Sequence, residues 1–230
     1  MTSDPLAALF AELGRLRDLS LLEEQLARRG YRRVAGVDEV GRGSLAGPVV
    51  AAAVILPPGC VLPGIDDSKR LDAPAREQLD RQIRARAVAW AIGVVEARII
   101  DVGDILRASL EAMRLAVTAL RPSADALLVD AVVVPGVRLP QVPVIHGDAL
   151  SASIAAASIV AKVHRDGLLD GLSRSFPVYG FEQHKGYGTP EHWEALQRFG
   201  PCPEHRLSYH GVVPQVGDGP IGGPAARRRG

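Results

Sequence analysis

Residues 34–56 constrain the fold more than any other stretch, because two apolar runs flank a short glycine-rich segment. The runs predict two adjacent β-strands, with Asp38 and Glu39 near the end of the first. Side chains alternate faces along a strand, so these acids converge only if the chain leaves the strand there, and the G-R-G run at 41–43 supplies that departure. Paired carboxylates at a strand end suit Mg²⁺ or Mn²⁺. A simpler interpretation is an acidic turn between two strands.

Two further carboxylates follow short apolar runs downstream. The run ALLVD at 126–130 ends in Asp130, and VPVIHGD at 142–148 ends in Asp148. A buried strand that ends in aspartate places the carboxylate at the carboxyl edge of a sheet, where sites form in open α/β sheets. The alternative is an aspartate that only starts a turn.

Lysine is rare in this chain, since only three of the 27 basic residues are lysine: Lys69, Lys162 and Lys185. Ser68 and Lys69 suit contacts to a phosphate backbone, although the same D-S-K run also fits a helix cap with a solvated lysine. Ser158, Lys162 and Asp166 are spaced to share one helix face. Tyr187, between glycines, has a ring face open to stacking, or is an ordinary loop tyrosine.

These segments resemble the type 2 ribonuclease H family, the bacterial ribonuclease HII proteins. DEVGRGSLAGPVVAAAV is similar to the family signature, and D-S-K, ASIVAKVHRD and H-K-G-Y follow in family order. The resemblance covers about residues 33–210. Four positions depart from the usual family residues: Ala131, His146, Leu150 and Tyr209.

The resemblance implies an endonuclease that hydrolyses the RNA strand of RNA/DNA hybrids and incises 5′ of ribonucleotides in duplex DNA, leaving 3′-OH and 5′-phosphate ends. It implies two divalent ions, Mn²⁺ or Mg²⁺, when substrate is bound. The implied catalytic and metal-binding residues are Asp38, Glu39, Asp130 and Asp148. The implied nucleic-acid contacts are Gly41, Arg42, Gly43, Ser68, Lys69, Lys162, Lys185 and Tyr187. Alternatives are a nuclease that cuts hybrids at many positions, an exonuclease, and a non-catalytic nucleic-acid-binding domain of the same fold.

The pattern of elements predicts an α/β chain, and the resemblance implies a ribonuclease H-like fold: a mixed central sheet flanked by helices, with a small C-terminal helical part. We expect an N-terminal helical segment at 1–30, a catalytic domain at 31–213 and a disordered tail at 214–230, whose arginines would add weak phosphate affinity. Expected helices span 6–30, 74–86, 98–120 and 151–170, and expected strands span 33–38, 48–56, 88–96, 126–130 and 142–148.

Composition narrows the class of protein further. The formal net charge is +1, so nucleic-acid affinity must come from local basic groups. Two cysteines without C-x-x-C spacing fit a reducing cytoplasm, and His184 and His192 lack the further ligands of a zinc site. The sequence shows no apolar run of membrane-spanning length, and we expect no secretory signal. We therefore expect a cytoplasmic monomer without a membrane partner.

Overall fold

A computed structural model describes residues 4–213 of the chain. The strands are β1 (Val34–Val40), β2 (Val49–Ile55), β3 (Ala89–Val95), β4 (Ala126–Asp130) and β5 (Gln141–Val144). The helices are α1 (Pro5–Leu19), α2 (Leu21–Arg28), α3 (Ala73–Arg86), α4 (Ala97–Val102), α5 (Ile105–Ala119), α6 (Ala152–Ser175), α7 (Phe181–His184) and α8 (Pro190–Phe199), with 3₁₀ turns at Gly147–Ala149 and Pro177–Tyr179. The tail predicted at 214–230 lies outside the described residues.

The five strands form one mixed sheet in the order β3-β2-β1-β4-β5. The first three strands are antiparallel neighbours, with Asp38 opposite Ala52. Strand β4 runs parallel to β1, and β5 runs parallel to β4. The carboxyl ends of β1, β4 and β5 therefore meet at one edge of the sheet. This arrangement confirms the predicted mixed sheet flanked by helices.

Helices cover both faces of the sheet. On one face, α5 packs over β1, β2 and β3, and on the other the alanine-rich α6 packs over β1 and β2. The approach of α6 is unusually close at Gly36, where a Cβ atom would lie 2.0 Å from the backbone carbon of Ser153. Only glycine permits that approach, so β1 and α6 are held in fixed relation. The two elements together position the site.

Two predicted helices are each divided in the structure. The expected helix at 6–30 breaks at Ser20, which caps both α1 and α2, and the expected helix at 98–120 breaks at Gly103. Asp104 then accepts a hydrogen bond from the amide of Arg107 and begins α5. Apolar periodicity continues across such breaks, so spacing alone did not locate them. No helix among residues 4–213 has the length and apolar character needed to cross a membrane.

Candidate active site

Asp38 and Glu39 lie within β1 rather than beyond it. The strand continues to Val40, so our expectation that the chain leaves the strand at the two acids was wrong. Gly36 faces α6, and Asp38, two residues later on the strand, points to the same face and is buried. Glu39, the next residue, points to the opposite face, which α5 covers. The two carboxylates flank the end of the strand from opposite faces.

Asp130 ends β4, directly beside the end of β1, as the sequence predicts. Its Oδ1 accepts a hydrogen bond from the amide of Gly147 at 2.8 Å, which ties β4 to the turn after β5. The next residue, Ala131, adopts a left-handed conformation with φ 55°. The resemblance implies glycine at this position, and the structure shows that alanine is accommodated at the cost of backbone strain.

Replacing Ala131 by glycine is expected to stabilise the protein. An alanine in the left-handed region costs about 1–2 kcal/mol, and the added entropy of glycine in the unfolded chain offsets about half of that gain. We expect a net increase of about 0.5–1 kcal/mol in the free energy of unfolding, measured by urea denaturation. Activity should remain within twofold, because Asp130 keeps its bond to Gly147. A loss of stability would show that this backbone position carries no strain.

Asp148 lies in a single 3₁₀ turn, Gly147–Ala149, rather than at a strand end. The strand β5 ends at Val144, and His146 turns the chain with a left-handed φ of 55°. The turn brings the Asp148 carboxylate back toward the sheet edge, where it is largely buried. Two of the departures from the family pattern, His146 and Leu150, flank this turn and are exposed.

The four carboxylates share one electrostatic environment. Burial raises the pKa of Asp38 well above its usual range, and the charges of Glu39 and Asp130 raise it further. Burial also raises the pKa of Glu39, opposed by the nearby Arg42 guanidinium. The pKa of Asp148 is raised by burial and then by the neighbouring Asp67. Asp38, Glu39, Asp130 and Asp148 therefore lie near one another at the sheet edge, close enough for their charges to interact.

The D-S-K segment lies against these acids. The Lys69 ammonium is 3.7 Å from Asp148 and 3.9 Å from Asp67, and its side chain is 81% exposed. Burial lowers the pKa of Lys69, but the carboxylates of Asp67 and Asp148 raise it overall. Ser68 is buried, and its hydroxyl lies 2.9 Å from that of Ser158 on α6. The Lys69 ammonium is therefore exposed beside the acids, while Ser68 anchors the segment.

The other two lysines also form ion pairs with acids. Lys162 lies 2.7 Å from Asp166 on the same face of α6, and Lys185 forms an ion pair with Asp170. Both lysine side chains are mostly shielded from solvent. Contact of either lysine with nucleic acid remains a prediction, and it requires the ion pair to open or to be shared with a phosphate.

The G-R-G loop, residues 41–48, connects β1 to β2 and contacts the segment that carries Tyr187. The amide of Leu45 donates to the carbonyl of Gly186 at 2.8 Å. Tyr187 is 36% exposed, and the Arg165 guanidinium lies 5.6 Å from its ring centroid. The two segments predicted to contact a ribonucleotide are therefore neighbours in the structure.

A buried histidine pair behind Tyr187 did not emerge from the sequence. His192 Nδ1 lies 2.9 Å from the Tyr187 carbonyl, and His192 Nε2 lies 3.0 Å from His205 Nε2. His205 Nδ1 accepts from the amide of Cys202 at 2.9 Å. These partners fix one tautomer for each neutral ring, with a proton on Nε2 of His205 and on Nδ1 of His192. The spacing of the two histidines in the sequence gave no signal of this pairing.

The histidine pair is expected to make the protein sensitive to acid. Burial lowers the pKa of His192 to about 4, and burial with the neighbouring His192 lowers that of His205 to about 4. The unfolded chain therefore binds more protons below about pH 6.5, and stability falls as the pH drops from there toward 4. Each ring contributes up to about 1.4 kcal/mol per pH unit.

The raised pKa values of Asp38, Glu39 and Asp148 act in the opposite direction, so a variant is needed to isolate the histidines. We expect the free energy of unfolding at pH 7 to be higher for wild type than for His205→Gln. The difference between the two proteins should be about 1–2 kcal/mol smaller at pH 5 than at pH 7. Urea denaturation at both pH values measures the difference. A difference that does not change with pH would contradict this expectation.

The mixed five-stranded sheet, with acids gathered at the carboxyl ends of adjacent strands, defines a ribonuclease H-like nuclease. A family model described as ribonuclease HII matches residues 35–212. A ribonuclease HII from Geobacillus kaustophilus is 56% identical over 195 residues, which cover 85% of this chain and 75% of that protein. The chain belongs to the ribonuclease HII family and is a ribonuclease H-type enzyme.

Solved structures agree with this fold. The ribonuclease H2 from Pyrococcus horikoshii OT3 superposes with a TM-score of 0.66 at 25% identity, covering 77% of this chain and 94% of that one. The ribonuclease HIII named Bst-RNase HIII, described in complex with Mn²⁺, has a TM-score of 0.63 at 20% identity, covering 77% of this chain and 67% of that one. The latter likeness supports the fold alone.

The four acids have the oxygen donors that a divalent cation prefers, but their side chains are not arranged as a preformed coordination site. Within residues 4–213, no three carboxylate, imidazole or thiol groups stand close enough to hold a metal ion as they are placed. Each carboxylate instead has a local partner: Asp38 the amide of Glu39 at 2.7 Å, Glu39 the guanidinium of Arg42 at 3.2 Å, Asp130 the amide of Gly147 at 2.8 Å, and Asp148 the ammonium of Lys69 at 3.7 Å. Mutually repelling oxygen donors are what hard cations stabilise.

Proposed function

We propose that this protein hydrolyses the RNA strand of RNA/DNA hybrids and incises duplex DNA 5′ of embedded ribonucleotides, leaving 3′-OH and 5′-phosphate ends. The observation that carries the proposal is the juxtaposition of two features. Four interacting carboxylates lie at the carboxyl edge of β1, β4 and β5, and the G-R-G loop beside them contacts the Tyr187 segment. The carboxylates suit phosphodiester hydrolysis, and the loop with the Tyr187 segment suits recognition of a sugar.

The proposed metal ligands are Asp38, Glu39, Asp130 and Asp148. When bound, two divalent cations, Mg²⁺ or Mn²⁺, would lower the pKa of the attacking water and stabilise charge on the leaving oxygen. The protein's own part is to hold these carboxylates in place. The backbone amides of Glu39 and Gly147 donate to Asp38 and Asp130, and the side chains of Arg42 and Lys69 pair with Glu39 and Asp148.

Lys69 is proposed to contact a phosphate of the substrate next to the acids. Its ammonium is exposed but lies within ion-pair distance of Asp148, so it is held at the site without being neutralised by burial. A lysine acts on phosphate as a point charge and carries no sequence information. This contact would position the strand over the carboxylates.

Discrimination between RNA and DNA is assigned to the G-R-G loop and Tyr187. The amide groups of Arg42 and Gly43 donate no hydrogen bond within the described part of the chain, and both residues are exposed. Free backbone donors can bond a 2′-OH, which DNA lacks. The exposed ring of Tyr187 can pack on the adjacent sugar.

The test compares three end-labelled duplexes of one sequence in Mg²⁺: an RNA/DNA hybrid, DNA with one ribonucleotide, and all-DNA. We expect cleavage of the hybrid, a single cut 5′ of the lone ribonucleotide, and an intact all-DNA duplex. The product ends are checked by ligation and by phosphatase sensitivity. Equal cleavage of all three duplexes would contradict the assignment of 2′-OH reading, and absence of any cleavage would contradict the proposed reaction.

A further inference from the structure

Two arginines are among the largest fully buried side chains of the protein. Arg165 of α6 and Arg206, which follows α8, each have 0% exposed surface. Neither takes part in an ion pair among residues 4–213. Burial lowers the pKa of Arg165 to about 10 and lowers that of Arg206. A charge buried without a counterion is costly, so the surroundings must compensate it.

Backbone carbonyls provide that compensation, and most belong to the G-R-G loop. Arg165 donates to the carbonyls of Pro48 at 2.9 Å, Ala46 at 3.1 Å and Lys185 at 2.9 Å. Arg206 donates to the carbonyls of Gly41 at 2.7 Å, Arg42 at 2.8 Å and Gly47 at 2.9 and 3.1 Å. The two guanidiniums therefore hold the loop from its inner side.

The contacts of Arg206 determine which way two peptide groups face. The carbonyl of Gly41 belongs to the same peptide group as the amide of Arg42, and the carbonyl of Arg42 to the same group as the amide of Gly43. Both groups are trans, since the cis bond recorded in the described residues is Arg121–Pro122. In a trans peptide the C=O and N–H bonds point in opposite directions. Carbonyls held inward on Arg206 therefore direct two successive N–H groups outward.

Neither of those outward N–H groups has a hydrogen-bond partner within residues 4–213. We propose that Arg206 is a positioning residue for ribonucleotide recognition, holding the amides of Arg42 and Gly43 as a preformed pair of donors for the substrate sugar. This inference rests on the proposed function. A guanidinium is needed because one lysine ammonium cannot reproduce its planar fork to both carbonyls.

Tyr209, one of the departures from the family pattern, helps Arg206 to hold the Arg42 carbonyl. Its hydroxyl donates to the Arg42 carbonyl at 2.6 Å and lies 3.0 Å from Arg206 Nη1. A phenylalanine at this position would lack this bond. In this protein the Arg42 carbonyl thus accepts hydrogen bonds from both Arg206 and Tyr209. Removal of the Tyr209 hydroxyl should therefore loosen this carbonyl less than a substitution of Arg206 does.

The experiment measures two constants for each variant in Mg²⁺: KM for a duplex with one ribonucleotide, and Ki for the all-DNA duplex as competitive inhibitor. The ratio of Ki to KM reports discrimination and does not depend on the fraction of active molecules. We expect Arg206→Lys to lower this ratio at least tenfold with Ki within threefold of wild type. Arg84→Lys, the same change in an arginine of α3 that pairs with Asp80 and does not contact the loop, should keep the ratio within threefold.

The outcomes separate this inference from the proposed function. A wild-type ratio near one would contradict 2′-OH reading and the inference with it. A wild-type ratio well above one that Arg206→Lys leaves unchanged, or that both arginine variants lower equally, would overturn the positioning role alone. If Arg206→Lys does not fold, Tyr209→Phe decides: a two- to threefold lower ratio supports the inference, and an unchanged ratio refutes it.

Discussion

Replacing Asp38 by asparagine is expected to abolish hydrolysis while making the metal-free protein more stable. Loss of a ligand that helps hold the catalytic cations removes several kcal/mol of transition-state stabilisation, which corresponds to a fall in kcat/KM of about 10³-fold or more. Asparagine keeps the shape of the side chain, so its packing against α6 should survive. The measurement is single-turnover cleavage of an RNA/DNA hybrid in Mg²⁺.

The gain in stability follows from the charge of Asp38. Its pKa is raised in the folded protein, so the ionised form destabilises the fold as the pH rises above the unfolded value. At pH 7 without metal, asparagine removes this penalty and should raise the melting temperature by at least about 2–4 °C, corresponding to about 1 kcal/mol. Added Mg²⁺ should narrow the difference by stabilising wild type. A variant less stable than wild type in EDTA would contradict the electrostatic account.

Replacing Gly43 by valine is expected to impair cleavage at a single ribonucleotide without affecting the fold. A Cβ atom on Gly43 meets no protein atom within 4 Å, and its φ lies outside the left-handed region. The added side chain would stand next to the Gly43 amide on the exposed loop, where it would obstruct the close approach of a sugar. Lost donors to the sugar correspond to about 1–3 kcal/mol, or about 5- to 150-fold in kcat/KM.

Gly41→Val is the matched control for this prediction. Gly41 has φ +93°, and a Cβ there would lie 2.2 Å from Nε of Arg165, so the same change should destabilise the fold. Melting temperature and kcat/KM are measured for both variants. We expect Gly43→Val to lose activity with an unchanged melting temperature, and Gly41→Val to lose both. Normal kcat/KM in Gly43→Val would remove the loop amides from recognition.

Short sequence motifs were sufficient to predict which carboxylates lie at the carboxyl edge of the sheet. Asp130 lies at a strand end as predicted, and Asp38, Glu39 and Asp148 reach the same edge, although by different local geometry. Alternation of strand faces was correctly applied, but the end of β1 was placed two residues early. Motifs identify which residues meet, while the exact end of a strand depends on its neighbours.

The sequence did not predict the supports behind the site. In the sequence, nothing distinguished Arg165 and Arg206 from the other arginines. Most of the carbonyls that accept their hydrogen bonds are more than 100 residues away along the chain. The His192–His205 pair likewise depends on the packing of α8 against the segment after it. Residue type favours an exposed position for arginine, so only tertiary structure reveals that these two are buried.

The most direct test of the central claim, that the four carboxylates act through bound divalent cations, is hydrolysis of an RNA/DNA hybrid by dialysed protein. Rates are measured in EDTA and across a titration of Mg²⁺ or Mn²⁺, with Asp38→Asn in parallel. We predict no cleavage in EDTA, saturable recovery with either metal in wild type, and little recovery in the variant. Cleavage in EDTA equal to that in Mg²⁺ would contradict the account.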